Sequence, residues 1–324
     1  MNPCFYSPLP CTEAQRARLR AAAAPLPAVF ADACGDAQRE AAMDSAVFIF
    51  GEPDPARLLS LPNLRVLQLS WAGADRYTNA PAFPRGLTLA CATGAYGGLI
   101  SEYVIGVILA MFRQLPRYIR QQAEALWQPH GAARRLCGAT VLILGAGDIG
   151  MAVAHRLRPF GARCLGVRRT ARETPPDFEA VYTRADLPDL LPRADVVVGC
   201  LPDTPETRGL LDEKALRAMK PGALLVNVGR GTLIDLDALA RVLAEGRLLG
   251  AALDVTSPEP LPPAHPLWAM DNVLLTPHVA GVGFGSDLET QDRIVDLCCE
   301  NLRRFHAGAP LRSTVDFATG YRKL

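Results

Sequence analysis

Residues 140–150 read TVLILGAGDIG, an apolar run that passes directly into a glycine-rich turn. The run Val141–Leu144 predicts a buried strand, and the residues from Ile149 to Phe160 have a helical pattern. Glycines at 145, 147 and 150 follow the spacing G-x-G-x-x-G: the first permits a tight turn, the second lets the backbone approach a pyrophosphate, and the third lets helix pack on strand. The start of that helix presents N–H groups and a positive dipole to phosphates. The stretch predicts a dinucleotide site that includes Gly145, Gly147, Asp148, Ile149 and Gly150.

The alternation of strand and helix extends in both directions along the chain. Further predicted strands are Cys4–Tyr6, Ala46–Phe50, Arg65–Leu69, Arg163–Val167, Val196–Cys200, Leu224–Val228, Gly250–Leu253 and Val273–Leu275. Further predicted helices are Glu13–Ala23, Pro55–Leu61, Leu99–Leu115, Lys214–Met219, Leu236–Glu245 and Leu288–Phe305. Such alternation favours parallel sheet, and 324 residues with 49% apolar side chains exceed what one core usually holds. We expect an α/β protein with two Rossmann-like or flavodoxin-like, doubly wound parallel sheets and an active-site cleft between them.

The long apolar segment Leu99–Leu115 is predicted to join the two domains. We place a cofactor-binding Rossmann domain at residues 96–283. A discontinuous substrate domain is expected at residues 1–95 and 284–324, because the tail that follows the last predicted helix should return to the N-terminal part of the chain.

Charge and cysteine content narrow the classes of partner. Lys and Arg number 34 against 33 Asp and Glu, so the formal net charge of +1 is too small to attract a nucleic acid or an anionic membrane. A small molecule is the expected partner. The nine cysteines are scattered without a C-x-x-C pair, which predicts reduced thiols and no metal site. With neither a signal-peptide pattern nor a long apolar span, the expected location is the cytoplasm.

The end of the strand after the glycine turn reads VRRT at residues 167–170. A carboxylate at this place would bind the ribose 2′-hydroxyl of NAD, whereas Arg168, Arg169 and Thr170 suit a 2′-phosphate, because arginine forms bidentate bonds with phosphate oxygens. The sequence predicts that NADPH is preferred, with NADH usable. The alternative is that both arginines are solvated at a loop tip.

Three later segments each place a polar residue just after a predicted strand: NVGRG at 227–231, LDVTSPEP at 253–260 and LTPHVA at 275–280. Ligands of open α/β sheets bind at the carboxyl ends of strands, so Arg230, Glu259 and His278 are expected to meet at one edge. The alternatives are a surface ion pair for the arginine, a solvated carboxylate and a structural histidine.

These motifs resemble the D-isomer-specific 2-hydroxyacid dehydrogenase family, close to its glyoxylate and hydroxypyruvate reductases. The resemblance covers essentially the whole sequence. Besides the glycine turn, it rests on Leu201–Thr207, Met219–Gly222, Asn227–Gly231, Pro258–Leu261, His265–Trp268 and Thr276–His278. It implies hydride transfer between a nicotinamide and a small 2-keto or 2-hydroxy acid, working mainly as reduction to a D-2-hydroxy acid. It also implies a homodimer formed through the cofactor domain.

The resemblance implies roles for individual residues. Arg230 holds the substrate carboxylate and polarises the keto oxygen, while His278 donates a proton to that oxygen and Glu259 pairs with His278. These tasks suit the three residue types: the guanidinium is always charged and planar, the imidazole titrates near neutrality, and the carboxylate orients the imidazole. Asp254 contacts the nicotinamide carboxamide. The residues implied to line the cofactor are Leu201, Pro202, Thr204, Val228 and Gly229.

In the first predicted domain, the turn SWAGAD at 70–75 follows a strand. In the family, backbone N–H groups of this turn bind the substrate carboxylate, which assigns Trp71, Ala72 and Gly73 to substrate binding. Tyr96 and Trp127 either shape the pocket wall or anchor packing. Thr256 stands where the family commonly has an aromatic residue, and Tyr96 where smaller residues are common, so both bear on the size of the substrate.

Two alternatives to this function remain. One is another enzyme of the same family, such as a phosphoglycerate, formate or D-lactate dehydrogenase. The other is a non-catalytic dinucleotide sensor or corepressor-like protein that keeps the fold. The presence of all three of Arg230, Glu259 and His278 favours the enzyme.

Overall fold

The computed structural model describes residues 2–84, 86–170 and 173–322, with the side chain of Arg322 left aside. It divides the chain into two compact units: a terminal unit, Met1–Tyr96 with Val282–Leu324, and a central unit, Gly97–Gly281. The predicted boundaries at 95/96 and 283/284 lie within two residues of these. Lys323 and Leu324, the end of the predicted tail, lie outside the described residues.

The helices and strands alternate along most of the chain. In chain order the strands are β1 (Cys4–Ser7), β2 (Ala28–Phe30), β3 (Ala46–Phe50), β4 (Val66–Gln68), β5 (Thr88–Ala90), β6 (Thr140–Leu144), β7 (Arg163–Arg168), β8 (Ala180–Thr183), β9 (Val196–Gly199), β10 (Leu224–Asn227), β11 (Gly250–Leu253), β12 (Val273–Leu275), β13 (Val315–Asp316) and β14 (Tyr321–Arg322). The α-helices are α1 (Glu13–Ala23), α2 (Asp36–Ser45), α3 (Pro55–Leu58), α4 (Asp75–Thr78), α5 (Gly97–Phe112), α6 (Leu115–Ala123), α7 (Asp148–Leu157), α8 (Leu187–Leu190), α9 (Glu213–Ala218), α10 (Leu236–Ala244) and α11 (Leu288–His306).

Each unit contains one parallel sheet. Among the described residues, the terminal sheet has five strands in the order β2-β1-β3-β4-β5, which is the flavodoxin-like order. The central sheet has seven, in the order β12-β11-β10-β9-β6-β7-β8, which is the Rossmann order with one strand added. The predicted α/β class with two doubly wound parallel sheets is therefore confirmed.

Helix starts follow from local side chains. Thr12 and Gln15 form a capping box at the start of α1. Asp235 and Asp287 accept the N–H groups of Ala238 and Thr290, so each caps the helix that follows it.

The predicted helix at 99–115 is wrong at its C-terminal end, because α5 ends at Phe112 and Gln114 is left-handed at φ 57°. Pro116 cannot continue a helix but is tolerated in the first turn of a new one, where α6 has it.

Among the described residues, no single helix is long and apolar enough to cross a membrane. Only α5 and α6 taken together reach the length and composition of a span, and they are bent by 66° where they meet.

Candidate functional site

One row of paired residues crosses the central sheet at its carboxyl edge. Hydrogen-bonded neighbours align Val167 with Leu144, Leu144 with Gly199, Gly199 with Asn227, and Asn227 with Leu253. Leu253 in turn aligns with Leu275. The predicted site residues of this unit follow this row within a few positions, apart from Glu259, which lies further along the loop after β11. Parallel strands therefore bring these segments to one edge of the sheet.

The glycine turn has the geometry of a phosphate cradle. Gly145 has φ 110°, and a Cβ there would lie 2.8 Å from the Cys200 carbonyl oxygen. A Cβ on Gly150 would lie 2.1 Å from the Gly145 carbonyl oxygen, so the helix can approach the strand only with glycine at 150. At Gly147 the Cβ position is open to 4 Å, and this residue gives α7 no side-chain cap. The N-terminus of α7, with Asp148 and Ile149 in its first turn, therefore fits a pyrophosphate.

Arg168, the last residue of β7, lies beside the glycine turn. Its Nη2 donates to the Ala146 carbonyl oxygen at 2.6 Å, which fixes the guanidinium next to the cradle. Arg169 and Thr170 are exposed just beyond it. Arg168, Arg169 and Thr170 thus stand at the strand end where the adenosine ribose of a dinucleotide is read in this fold.

The segment 201–207 is folded into a tight turn by its own threonines. Thr207 Oγ1 donates to the Pro202 carbonyl oxygen at 2.6 Å and accepts the N–H of Thr204 at 2.9 Å. The side chain of Thr204 is buried. A Cβ on Gly229 would come within 2.6 Å of the Leu201 carbonyl oxygen, so the turn after Val228 lies directly against this segment.

Asn227 shapes the turn that carries Arg230. Its side chain is fully buried; Nδ2 donates to the Arg230 carbonyl oxygen at 3.0 Å, and Oδ1 accepts the Gly229 N–H at 3.1 Å. Arg230 itself is partly buried, with Nη1 donating to the Gly229 carbonyl oxygen at 2.8 Å. A Cβ on Gly231 would lie 1.9 Å from the backbone of Thr256, so this turn contacts the segment that leads to Glu259.

His278 and Glu259 form a hydrogen-bonded pair. The imidazole Nδ1 and the carboxylate Oε1 are 2.8 Å apart, and both side chains are nearly half exposed. Because Nδ1 is engaged by the carboxylate, Nε2 is the nitrogen that remains for exchanging a proton with a substrate. Thr256 lies between the end of β11 and Glu259 in the sequence. Its hydroxyl donates to the Pro258 carbonyl oxygen at 2.8 Å, within the loop that carries Glu259.

Asp254 holds the backbone that presents His278. One carboxylate oxygen accepts the Val279 N–H at 2.8 Å and the Thr276 hydroxyl at 2.6 Å, and the other accepts the Ala280 N–H at 2.9 Å. The Asp254 carbonyl oxygen accepts the His278 N–H at 2.8 Å. His278 has φ 55°, an unfavourable region for a non-glycine residue that must be held by such contacts.

In the terminal unit, the turn at 70–73 follows β4. Trp71 is exposed, Ala72 and Gly73 are partly buried, and Ser70 beneath them is fully buried. Within the described part of the chain, the N–H groups of Ala72 and Gly73 have no hydrogen-bond acceptor. Two adjacent unpaired N–H groups suit a bound carboxylate.

Tyr96 and Trp127, whose roles the sequence leaves open, differ in burial. Tyr96 is buried, with 5% of its surface exposed, and its hydroxyl donates to the Ser70 carbonyl oxygen at 2.9 Å. Trp127 is 100% exposed, so it packs against none of the residues that the structure describes.

Several residues that shape the site were not among the predicted ones. Asn227 and Thr276 act on Arg230 and Asp254, and Tyr103 on α5 hydrogen-bonds the Thr276 hydroxyl at 2.5 Å. Asn227 ends the otherwise apolar strand LLVN, which is a readable signal, whereas the contact of Tyr103 requires the tertiary fold. Within the described residues, no three His, Cys, Asp or Glu side chains are grouped as around a metal ion.

Comparison with known proteins gives consistent matches. The family model "D-isomer specific 2-hydroxyacid dehydrogenase, NAD binding domain" matches residues 105–280. A glyoxylate reductase from Thermofilum pendens is 37% identical over 249 residues, which are 74% of this chain and 71% of that protein.

Two crystal structures are similar over almost the whole chain. A D-isomer specific 2-hydroxyacid dehydrogenase family protein from Aeromonas salmonicida has 36% identity and a TM-score of 0.83, covering 98% of this chain and 99% of that one. An NADPH-dependent glyoxylate/hydroxypyruvate reductase from Sinorhizobium meliloti, in complex with NADP and sulfate, has 26% identity and a TM-score of 0.82, covering 99% and 100%. The chain therefore belongs to the D-isomer specific 2-hydroxyacid dehydrogenase family and is an oxidoreductase of the nicotinamide-dependent kind.

Proposed function

We propose that this protein reduces small 2-keto acids, of the glyoxylate or hydroxypyruvate kind, to D-2-hydroxy acids with NADPH. The observation that carries the proposal is the His278–Glu259 pair at 2.8 Å, presented on a left-handed turn that Asp254 fixes at the edge of the dinucleotide-binding sheet. A solvated carboxylate and a purely structural histidine would not need this support.

His278, Glu259 and Arg230 have different roles in the proposed reduction. The nicotinamide, when bound, supplies a hydride to the keto carbon. His278 Nε2 gives a proton to the keto oxygen, and Glu259, at Nδ1, orients the ring and stabilises its positive charge before transfer. Arg230 binds the substrate carboxylate through its planar fork and polarises the keto oxygen. Keto acid, hydride and proton together make the hydroxy acid, so no further reactant is needed.

The two units have separate binding tasks in this proposal. The glycine cradle binds the pyrophosphate, with Pro202, Thr204, Val228, Gly229 and Asp254 along the same row toward the nicotinamide. Arg168, Arg169 and Thr170 bind the 2′-phosphate. In the terminal unit, the N–H groups of Ala72 and Gly73, beside Trp71, bind the substrate carboxylate. The NADP-bound reductase from Sinorhizobium meliloti supports the choice of cofactor.

The direct test is the initial rate of NADPH oxidation, and separately of NADH oxidation, with glyoxylate, hydroxypyruvate, pyruvate and phenylpyruvate. Faster oxidation of NADPH with the smaller acids is the expected result. Turnover of D-lactate or phosphoglycerate in preference to all four would favour another enzyme of the family. Nicotinamide binding without turnover of any acid would favour a non-catalytic sensor or corepressor-like protein.

Removing the two strand-end arginines should change cofactor choice. We expect Arg169→Gln to lower kcat/KM for NADPH about tenfold while changing that for NADH less than twofold, because a bond to a charged phosphate is lost only with NADPH. Arg168→Gln should weaken both cofactors, since Arg168 also holds the Ala146 carbonyl oxygen. Arg163→Gln, at the opposite end of the same strand, is the control and should change neither. Equal losses for both cofactors in Arg169→Gln would exclude phosphate recognition.

We also propose a homodimer formed through the central unit. Ile119 of α6 is 65% exposed and Trp127, just beyond it, fully exposed, which is unusual for large apolar side chains and typical of interfaces. Sedimentation equilibrium should give twice the chain mass, and Ile119→Glu with Trp127→Glu should give the mass of one chain.

A further inference from the structure

A partly buried carboxylate in the terminal unit, that of Glu52, contacts the turn at 70–73. Glu52 follows β3 by two residues, as Ser70 follows β4, and Phe50 pairs with Gln68 in the sheet, so the two residues lie opposite each other. Glu52 Oε1 accepts the Ser70 N–H at 2.6 Å and the Ser70 hydroxyl at 2.9 Å. The N–H of Trp71 also lowers the pKa of this carboxyl group, so it lies close by.

Ser70 is held from its other side by Tyr96. The phenol hydroxyl donates to the Ser70 carbonyl oxygen at 2.9 Å, and the ring is buried. The N–H, the hydroxyl and the carbonyl of one residue are therefore all fixed by side chains that are distant in sequence. The following N–H groups, of Ala72 and Gly73, are the ones left for a ligand.

The surroundings of Glu52 disfavour the ionised form of its carboxyl group. Burial raises the pKa of Glu52, an effect opposed by the hydrogen bonds from Ser70, by the nearby Trp71 N–H and by the Arg76 guanidinium. Tyr77 and Tyr96 also lie near Glu52, and burial raises the pKa of both. Because the pKa is higher in the folded protein than in the unfolded one, the protonated carboxyl group stabilises the fold. This stabilisation is lost as the pH rises through the pKa of the folded protein. A carboxyl group kept in such an environment at a cost in stability is typical of functional positions.

We propose that Glu52 and Tyr96 are positioning residues: they clamp Ser70 so that the Ala72 and Gly73 N–H groups stay fixed for binding the substrate carboxylate. The inference rests on the proposed function of this turn. Neither residue touches the substrate, so their loss should change substrate affinity while leaving cofactor affinity and proton transfer unchanged.

The experiment compares KM for glyoxylate and for NADPH, kcat, and Tm at pH 7 in the wild type and three variants. Glu52→Gln replaces the partly buried carboxyl group with an amide, whose single oxygen is left as the acceptor for the Ser70 N–H and hydroxyl. We expect KM for glyoxylate to rise about fivefold, while Tm equals or exceeds that of the wild type. Tyr96→Phe should raise the same KM about threefold.

Asp186→Asn is the matched control. Asp186 accepts the N–H and the hydroxyl of Thr183, the same pattern that Glu52 makes with Ser70, but in the central unit and outside the predicted site. It should lower Tm without changing KM for glyoxylate. If Glu52 were purely structural, KM and Tm would change together in Glu52→Gln. An unaltered KM in both Glu52→Gln and Tyr96→Phe would also overturn the clamp.

A second readout separates this inference from the proposed function. Isothermal titration calorimetry with oxamate, in the presence of NADP, measures carboxylate binding without turnover. Weaker oxamate binding in Glu52→Gln and Tyr96→Phe supports the clamp even if the wild type reduces none of the acids, an outcome that would overturn only the proposed reaction. Equal binding in all variants overturns the clamp.

Discussion

Glutamine in place of His278 is expected to lower kcat for keto-acid reduction about a thousandfold, within the range that general acid catalysis contributes. Glutamine keeps the length and a hydrogen-bond donor but cannot deliver a proton. The expected loss appears in kcat under saturating glyoxylate, while the affinity for NADPH, measured by quenching of protein fluorescence, changes less than about twofold.

A second histidine–carboxylate pair in the same unit provides the control. His155 Nδ1 and Asp177 Oδ2 are 3.1 Å apart on the surface, so His155→Gln removes a similar pair that has no place in the proposed reaction. It should leave kcat unchanged. A His278→Gln variant that retains more than a tenth of wild-type kcat would show that another group, or water, supplies the proton.

Glu259→Gln should be less damaging than loss of the histidine. The amide still accepts a hydrogen bond from Nδ1 and so keeps the ring oriented, but it no longer stabilises the charged imidazole. We therefore expect kcat to fall about tenfold to a hundredfold. Similar losses in Glu259→Gln and His278→Gln would mean that the charge of the pair, rather than the proton itself, is essential.

Much of the central site could be predicted because its residues obey one local rule. A strand ends, a turn follows, and parallel strands place their ends at the same edge. Arg230, Asp254 and His278 each stand within three residues of a strand end in the row that pairs Asn227, Leu253 and Leu275. The same rule applied to the terminal unit would have found Glu52 and Ser70, which lie two residues beyond the paired Phe50 and Gln68.

Other features depend on contacts that no local pattern encodes. The strands β2 and β5, of three residues each, are not among the predicted strands. The support that Tyr103 gives to Thr276 joins residues 173 positions apart. The family resemblance implies that Asp254 contacts the cofactor, and that role stays a prediction. Its bonds to residues 276–280 show that it holds the turn of His278.

Arg230→Lys is expected to reduce kcat/KM for glyoxylate about a hundredfold. Lysine keeps the positive charge but not the planar fork, and the loss of one of two charge-assisted bonds accounts for a change of this size. Arg230→Gln, without the charge, should lose about a thousandfold. The main increase should appear in KM, because the substrate carboxylate is held before and during the reaction.

The chain offers a matched control for the loss of a fork. Arg217 forms two bonds of 2.7 and 2.8 Å with the carboxylate of Glu245 on the surface of the same unit, so Arg217→Lys removes the same geometry away from the site. It should leave kcat/KM unchanged. If Arg230→Lys were as active as the wild type, a point charge would suffice at this position, and the carboxylate would have to be held mainly by the N–H groups of Ala72 and Gly73. In that case the Glu52 and Tyr96 variants should show larger KM increases than those expected above, which makes the two sets of measurements a test of each other.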